Sequence, residues 1–81
     1  MKLRYPEIAI AAGVRGLVIV LAFVNQDGEV AMVAIQKGLP NTGLDEAAIE
    51  AVKSTLFTPA MLKGEAVGAW IAVPLNFRLP F

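Results

Sequence analysis

A run of apolar residues from Gly16 to Val24 constrains this chain more than any other feature of its sequence. The run is rich in β-branched side chains and is followed at once by the turn-forming residues 25–28, so it predicts the first strand of a β-hairpin. Side chains alternate between the two faces of a strand, yet both rows are apolar here. A domain of 81 residues has one core to bury one row, so the second row needs another explanation.

The composition excludes several classes of function. Seven basic and seven acidic residues leave no net charge, whereas nucleic-acid binders and polybasic membrane proteins need an excess of lysine and arginine. The longest uninterrupted apolar run is far shorter than the roughly 20 residues that a membrane-spanning helix requires. We therefore expect one domain over residues 1–81, no nucleic-acid partner and no insertion of this chain into a membrane.

No arrangement of polar residues predicts a catalytic, cofactor or metal site. The chain has no histidine and no cysteine, which removes the commonest general base, the commonest metal ligand and all thiol chemistry. Asp27 lies in a predicted turn, and Asp45 and Glu46 lie at a predicted helix start, where turn and capping chemistry explain them. The glycines do not form a phosphate-binding motif. We expect no enzymatic activity, no cofactor and no metal.

The remaining sequence predicts two helices and two further strands. A short helix follows Pro6 and ends at Gly13, with Ile8, Ala9 and Ala12 on its inner face. The second strand covers residues 29–36 and contains a bulge at residues 31–32, because its apolar residues do not keep a period of two.

The second predicted helix covers residues 44–56 and is opened by a capping-box-like pair, Thr42 and Asp45. Residues 61–65 form a connector, and the last strand covers residues 67–79 with alternate apolar side chains. Pro74 cannot donate a backbone hydrogen bond, so this strand is predicted to lie at a sheet edge. The order of elements predicts an α+β fold: a three-stranded antiparallel sheet of order 2-1-3 with two helices on one face.

A series of motifs with regular spacing runs through the chain. In order, it consists of Tyr5-Pro6, Gly16-x-Val18-x-Val20, Asp27-Gly28-x-Val30-x-x-Val33, Leu44-Asp45-x-Ala47-Ala48-x-x-Ala51-Val52, Phe57-x-Pro59-Ala60, Gly64 and Val73-Pro74-x-x-Phe77. This series resembles the C-terminal domain of the TonB family of periplasmic energy transducers. The resemblance implies the same fold, a periplasmic location, and binding of a short extended segment of an outer-membrane transporter at the edge of the last strand. It places that peptide-binding edge at Ala69, Trp70, Ile71, Ala72, Val73 and Leu75.

The chain departs from the family pattern on one surface. Positions that family members usually fill with polar residues are here Ile10, Leu17, Leu21, Met32 and Ala34. We therefore predict that an apolar open sheet face drives oligomeric assembly with further copies of this chain or with an engineered partner subunit, on a natural or an engineered TonB-like scaffold. The predicted oligomer interface consists of Ile10, Leu17, Ile19, Leu21, Phe23, Met32, Ala34, Trp70 and Ala72. The alternative function is that of a natural periplasmic TonB-type domain that binds an extended transporter segment.

Overall fold

The computed structural model describes residues 3–81. Its elements are α1 (Glu7–Ala11), β1 (Gly16–Val24), β2 (Val30–Lys37), α2 (Leu44–Lys53), β3 (Ala60–Leu62), β4 (Glu65–Val67) and β5 (Ala69–Phe77). β1 lies at the centre of a three-stranded antiparallel sheet of order β2-β1-β5, and β3 and β4 form a separate two-stranded hairpin. The predicted α+β fold and strand order are confirmed, with β5 as the third strand.

One face of the sheet and the two helices enclose the core. The buried row of β1 consists of Val18, Val20, Ala22 and Val24. Val18, Val20 and Ala22 of this row pack against the buried face of α2, which consists of Leu44, Ala47, Ala48, Ala51 and Val52. The alanines let the helix approach the sheet closely, and no polar or charged side chain of the described residues is buried.

The β1–β2 register contains the predicted bulge and a second irregularity. Phe23 lies opposite Met32 and Val24 lies opposite Val30, so Ala31 is the extra residue. Another register shift between Ile19 and Val20 was not predicted. The β1–β5 register, by contrast, is continuous over residues 16–24.

The rotation of α1 was predicted wrongly. Ala9 is buried as expected, but Ile8 is 75% exposed and Ala12 is also exposed. The ring of Tyr5 packs edge-on against Phe77 at 5.4 Å between centroids. Its hydroxyl donates a hydrogen bond to the Val14 carbonyl. Because this anchor precedes a helix of only five residues, it decides which side of α1 faces the sheet.

The predicted capping box of α2 does not form. The N-cap residue is Gly43, with φ of 79°, and the Thr42 hydroxyl accepts from the Leu44 N–H at 3.1 Å. The Asp45 carboxylate accepts from the Leu39 N–H at 2.8 Å, so it fixes the preceding loop instead of the helix start.

The helix also ends earlier than predicted, at Lys53. The hydroxyls of Ser54 and Thr55 donate to the Ala51 carbonyl at 3.1 and 2.7 Å. They thereby occupy the acceptor that a further helical turn would use.

The β3–β4 hairpin was missed, since residues 61–65 were predicted to be a connector. Lys63 and Gly64 have φ of 50° and 82°, as a two-residue type I′ turn requires. The segment predicted as one strand over residues 67–79 is interrupted at Gly68 and ends at Phe77.

The β1–β2 turn docks against the segment that follows α2. Gly28 has φ of 83°, and its carbonyl accepts from the Phe57 N–H at 2.9 Å. A Cβ at Gly28 would lie 2.2 Å from the Phe57 carbonyl oxygen, whereas a Cβ at Gly64, with the same backbone conformation, would meet nothing within 4 Å. The close approach and the backbone conformation both require glycine at position 28.

We predict that Gly28→Ala lowers the free energy of unfolding by at least about 2 kcal/mol more than Gly64→Ala. Both substitutions carry the left-handed strain of about 1–2 kcal/mol, but only the first also displaces a hydrogen-bonded backbone. Urea denaturation of the two variants measures the difference. Equal losses of stability would show that the docking of this turn contributes nothing.

Candidate protein-interaction surface

The sheet face opposite the helices carries an apolar surface, which we call the open face. Its cross-strand rows are Leu17 with Asn76, Ile19 with Pro74 and Lys37, Leu21 with Ala34 and Ala72, and Phe23 with Met32 and Trp70. All the predicted interface residues except Ile10 lie on this face. Ile10 lies on α1 in the helix layer, where its neighbour Ala9 enters the core.

The large, exposed apolar side chains of the open face lie at one end of the sheet. Met32 is 54% exposed and Trp70 is 52% exposed. Trp70 packs edge-to-face on the Phe23 ring at 5.6 Å between centroids. A Cβ at Gly68 would lie 2.6 Å from the tip of that ring, so glycine leaves room for it. In the next row Leu21 is flanked by Ala34 and Ala72, whose small side chains leave shallow depressions on both sides of it.

The outer edge of β5 is a second candidate surface. β5 pairs only with β1 among the described residues, and Pro74 lies opposite Ile19 in a continuous register. Because proline has no N–H, this position suits backbone that points away from β1. Backbone direction alternates along a strand, so we expect the N–H groups of Trp70 and Ala72 to point towards the open edge.

The predicted edge residues are therefore divided between two environments. The side chains of Trp70 and Ala72 lie on the open face, whereas those of Ile71, Val73 and Leu75 pack on the core side. Ala69 pairs with Val24 at the end of the sheet. An added strand would contact both layers along its length.

Charge at the ends of the sheet was missed by sequence reasoning. Arg15, Lys37 and Arg78 lie at the end where β1 begins and β2 and β5 finish, and two of them, Arg15 and Arg78, line a shallow depression of about 520 Å³. Asp27 and Glu29 lie in the exposed turn at the opposite end. These residues are far apart in the sequence, so only the strand topology reveals the separation of charge.

The described residues offer little for other kinds of site. Within residues 3–81, no group of three or more histidine, cysteine, aspartate or glutamate side chains is placed to hold a metal ion. No helix in this part of the chain is long and apolar enough to cross a membrane.

Comparisons with known proteins give a consistent family. The profile of the family described as Gram-negative bacterial TonB protein C-terminal matches residues 1–79. The chain is 36% identical over 76 residues to Protein TonB of Xanthomonas campestris, which covers 94% of this chain and 34% of that protein. It is 35% identical over 75 residues to Protein tonB2 of Pseudomonas aeruginosa, covering 93% of this chain and 28% of that protein. The chain thus spans about a third of these relatives.

Solved structures show the same fold. The TonB C-terminal domain from Pseudomonas aeruginosa superimposes with a TM-score of 0.80 at 23% identity, covering 100% of this chain and 82% of that one. The domain from Helicobacter pylori gives a TM-score of 0.73 at 29% identity, covering 99% and 84%.

TonB C-terminal domains are periplasmic protein-interaction domains without enzymatic activity, which agrees with the fold, the location and the absence of catalysis expected from the sequence. With a family match over nearly its whole length and relatives above 30% identity, this chain belongs to the TonB C-terminal domain family.

Proposed function

We propose that this domain binds an extended segment of an outer-membrane transporter by strand addition at the outer edge of β5. The observation that carries the proposal is a nine-residue strand that, within residues 3–81, is paired on one side only. Such an edge offers a row of backbone donors and acceptors to another chain. Membership of the TonB family supports a transporter as the partner.

The geometry of β5 specifies how the added strand is held. Trp70 and Ala72 supply donors and acceptors, whereas Pro74 supplies only its carbonyl. Alternate side chains of the added strand then lie beside Trp70 on the open face and beside Ile71 and Val73 on the core side. Backbone pairing provides affinity, and these two layers provide selectivity.

We predict that Ala72→Pro abolishes binding of a transporter-derived peptide while it lowers the free energy of unfolding by only about 1 kcal/mol. It removes an outward donor and spares the ladder with β1. The matched change Val73→Pro removes an inward donor, so it costs about 2–3 kcal/mol or more.

Titration of a labelled domain with the peptide, followed by the backbone amide signals of residues 69–77, measures binding. Wild type should show shifts concentrated in this strand, and Ala72→Pro should show none. Absence of shifts in the wild type, or unaltered binding by Ala72→Pro, would refute strand addition at this edge.

A second candidate function, self-association through the open face, is favoured by a specific observation. Met32 and Trp70 are more than half exposed. Phe23 lies between them, with Leu21 in the next row, on the sheet face opposite the helices. Burial of each large apolar side chain contributes about 1.5–3 kcal/mol, against which association costs several kcal/mol. The proposal concerns the surface itself and is the same for a natural and an engineered chain.

We predict that the wild-type domain elutes as a defined oligomer at about 100 μM, well above a micromolar dissociation constant, measured by light scattering after size exclusion. The double variant Leu21→Glu with Phe23→Glu should elute as a folded monomer, because it buries two carboxylates in any contact of the open face.

The control is Leu56→Glu, the same type of change at a side chain that is 76% exposed outside the sheet, and it should leave the oligomer intact. A wild-type monomer at these concentrations, or an oligomer unaffected by the double variant, would contradict self-association through this face.

A further inference from the structure

The side chains of the open face differ in size from one cross-strand row to the next along β1. The row of Phe23 with Met32 and Trp70 consists of large side chains. In the next row Leu21 lies between Ala34 and Ala72, and in the row after that Ile19 lies between Pro74 and Lys37. Two copies that stack with their strands parallel would place the bulky row of each copy on the bulky row of the other. The Leu21 row faces its own counterpart in either stack. An antiparallel stack instead places the bulky row of each copy over the Ile19 row of the other.

The charges of the sheet favour the same arrangement. One end carries Arg15, Lys37 and Arg78, and the other carries Asp27 and Glu29. Asp45 lies in the helix layer, where its carboxylate accepts from the Leu39 N–H. A parallel stack places Arg15 on Arg15 and Asp27 on Asp27, whereas an antiparallel stack about the Leu21 row places Arg15 of each copy over Asp27 of the other. Lys37, in the Ile19 row, then lies over Met32.

We propose that two copies of this chain stack open face to open face with their β1 strands antiparallel, which rests on the self-association proposed above. A two-fold axis through the Leu21 row relates them. Counting outward from this axis, Phe23 lies over Ile19 of the second copy. Asp27 lies over its Arg15. A second copy of this chain is therefore the partner whose surface shape and charges complement the open face.

The size of the face sets the expected affinity. Nine residues at about 3.3 Å and three strands about 4.8 Å apart give a footprint of about 30 by 14 Å per copy. Two such footprints total about 840 Å², which is below the range of about 1,200–2,000 Å² for standard specific complexes and corresponds to a weak, transient interface. We therefore expect dissociation constants in the micromolar range.

A spin label tests the orientation of the copies. The chain has no cysteine, so Gln26→Cys in the exposed turn accepts a single label without altering any charge. The label lies about five residues from the axis, so the antiparallel stack separates the two labels by about 30–40 Å. The parallel stack places them less than about 20 Å apart. Pulsed dipolar spectroscopy of the dimer measures this distance.

A charge swap tests the contact itself. Arg15→Glu should raise the dimer dissociation constant about 10-fold, since it turns two attractive contacts into repulsive ones. Adding Asp27→Lys to the same chain should restore the constant to within about 3-fold of wild type. Arg4→Glu, an equal change of charge in the helix layer, is the control and should have no effect.

The outcomes separate the two proposals. A monomeric wild type refutes self-association and this arrangement together, while the test of strand addition is unaffected. A dimer with a short label distance, or without rescue by Asp27→Lys, refutes only the antiparallel stack. A long distance together with rescue supports it.

Discussion

The structure depends on the burial of one row of β1 beneath the helices. Val18, Val20, Ala22 and Val24 are at most 2% exposed, and the first three meet α2, α1 and the inner residues of β5. Each fully buried valine contributes about 1.5–3 kcal/mol, so this row fixes which face of the sheet the helices cover. A register slip of one residue in β1 would exchange the rows and place Phe23 and Leu21 against a helix surface shaped by alanine.

Because the helices cover only one face of the sheet, the opposite face is left as the open face. Two helices of five and ten residues are enough to cover one side of a three-stranded sheet. The second row of β1 has no helix over it within residues 3–81. It is flanked by its cross-strand neighbours and, at Phe23, by Gly68. Its side chains are therefore half-buried, and the remaining exposure is concentrated at Met32 and Trp70. A surface of this kind is stable in the monomer but gains free energy from any partner that covers it.

Patterns of period two, together with turn residues, were sufficient to predict the three strands, their order and one of the two register irregularities. The turn at Gly28, the bulge at Ala31 and the edge position of Pro74 each follow from a backbone requirement of a single residue type or from a broken alternation. The rotation of α1 could not be predicted, because it depends on Tyr5 reaching Phe77, a contact that spans the whole chain. The β3–β4 hairpin was missed because Lys63-Gly64 is a weaker turn signal than an Asn-Gly pair, and its strands have three residues each.

The two proposed interaction modes share residues and are therefore energetically linked. Trp70 and Ala72 present backbone to the outer edge of β5 and side chains to the open face. A strand added at that edge would widen the sheet from three strands to four, and its alternate side chains would extend the open face. If those side chains are apolar, the added strand enlarges the surface available for stacking, and each event strengthens the other by the same factor. If they are charged, strand addition and stacking oppose each other. The sequence of the docking segment would then decide whether the domain meets its partner as a monomer or as a dimer.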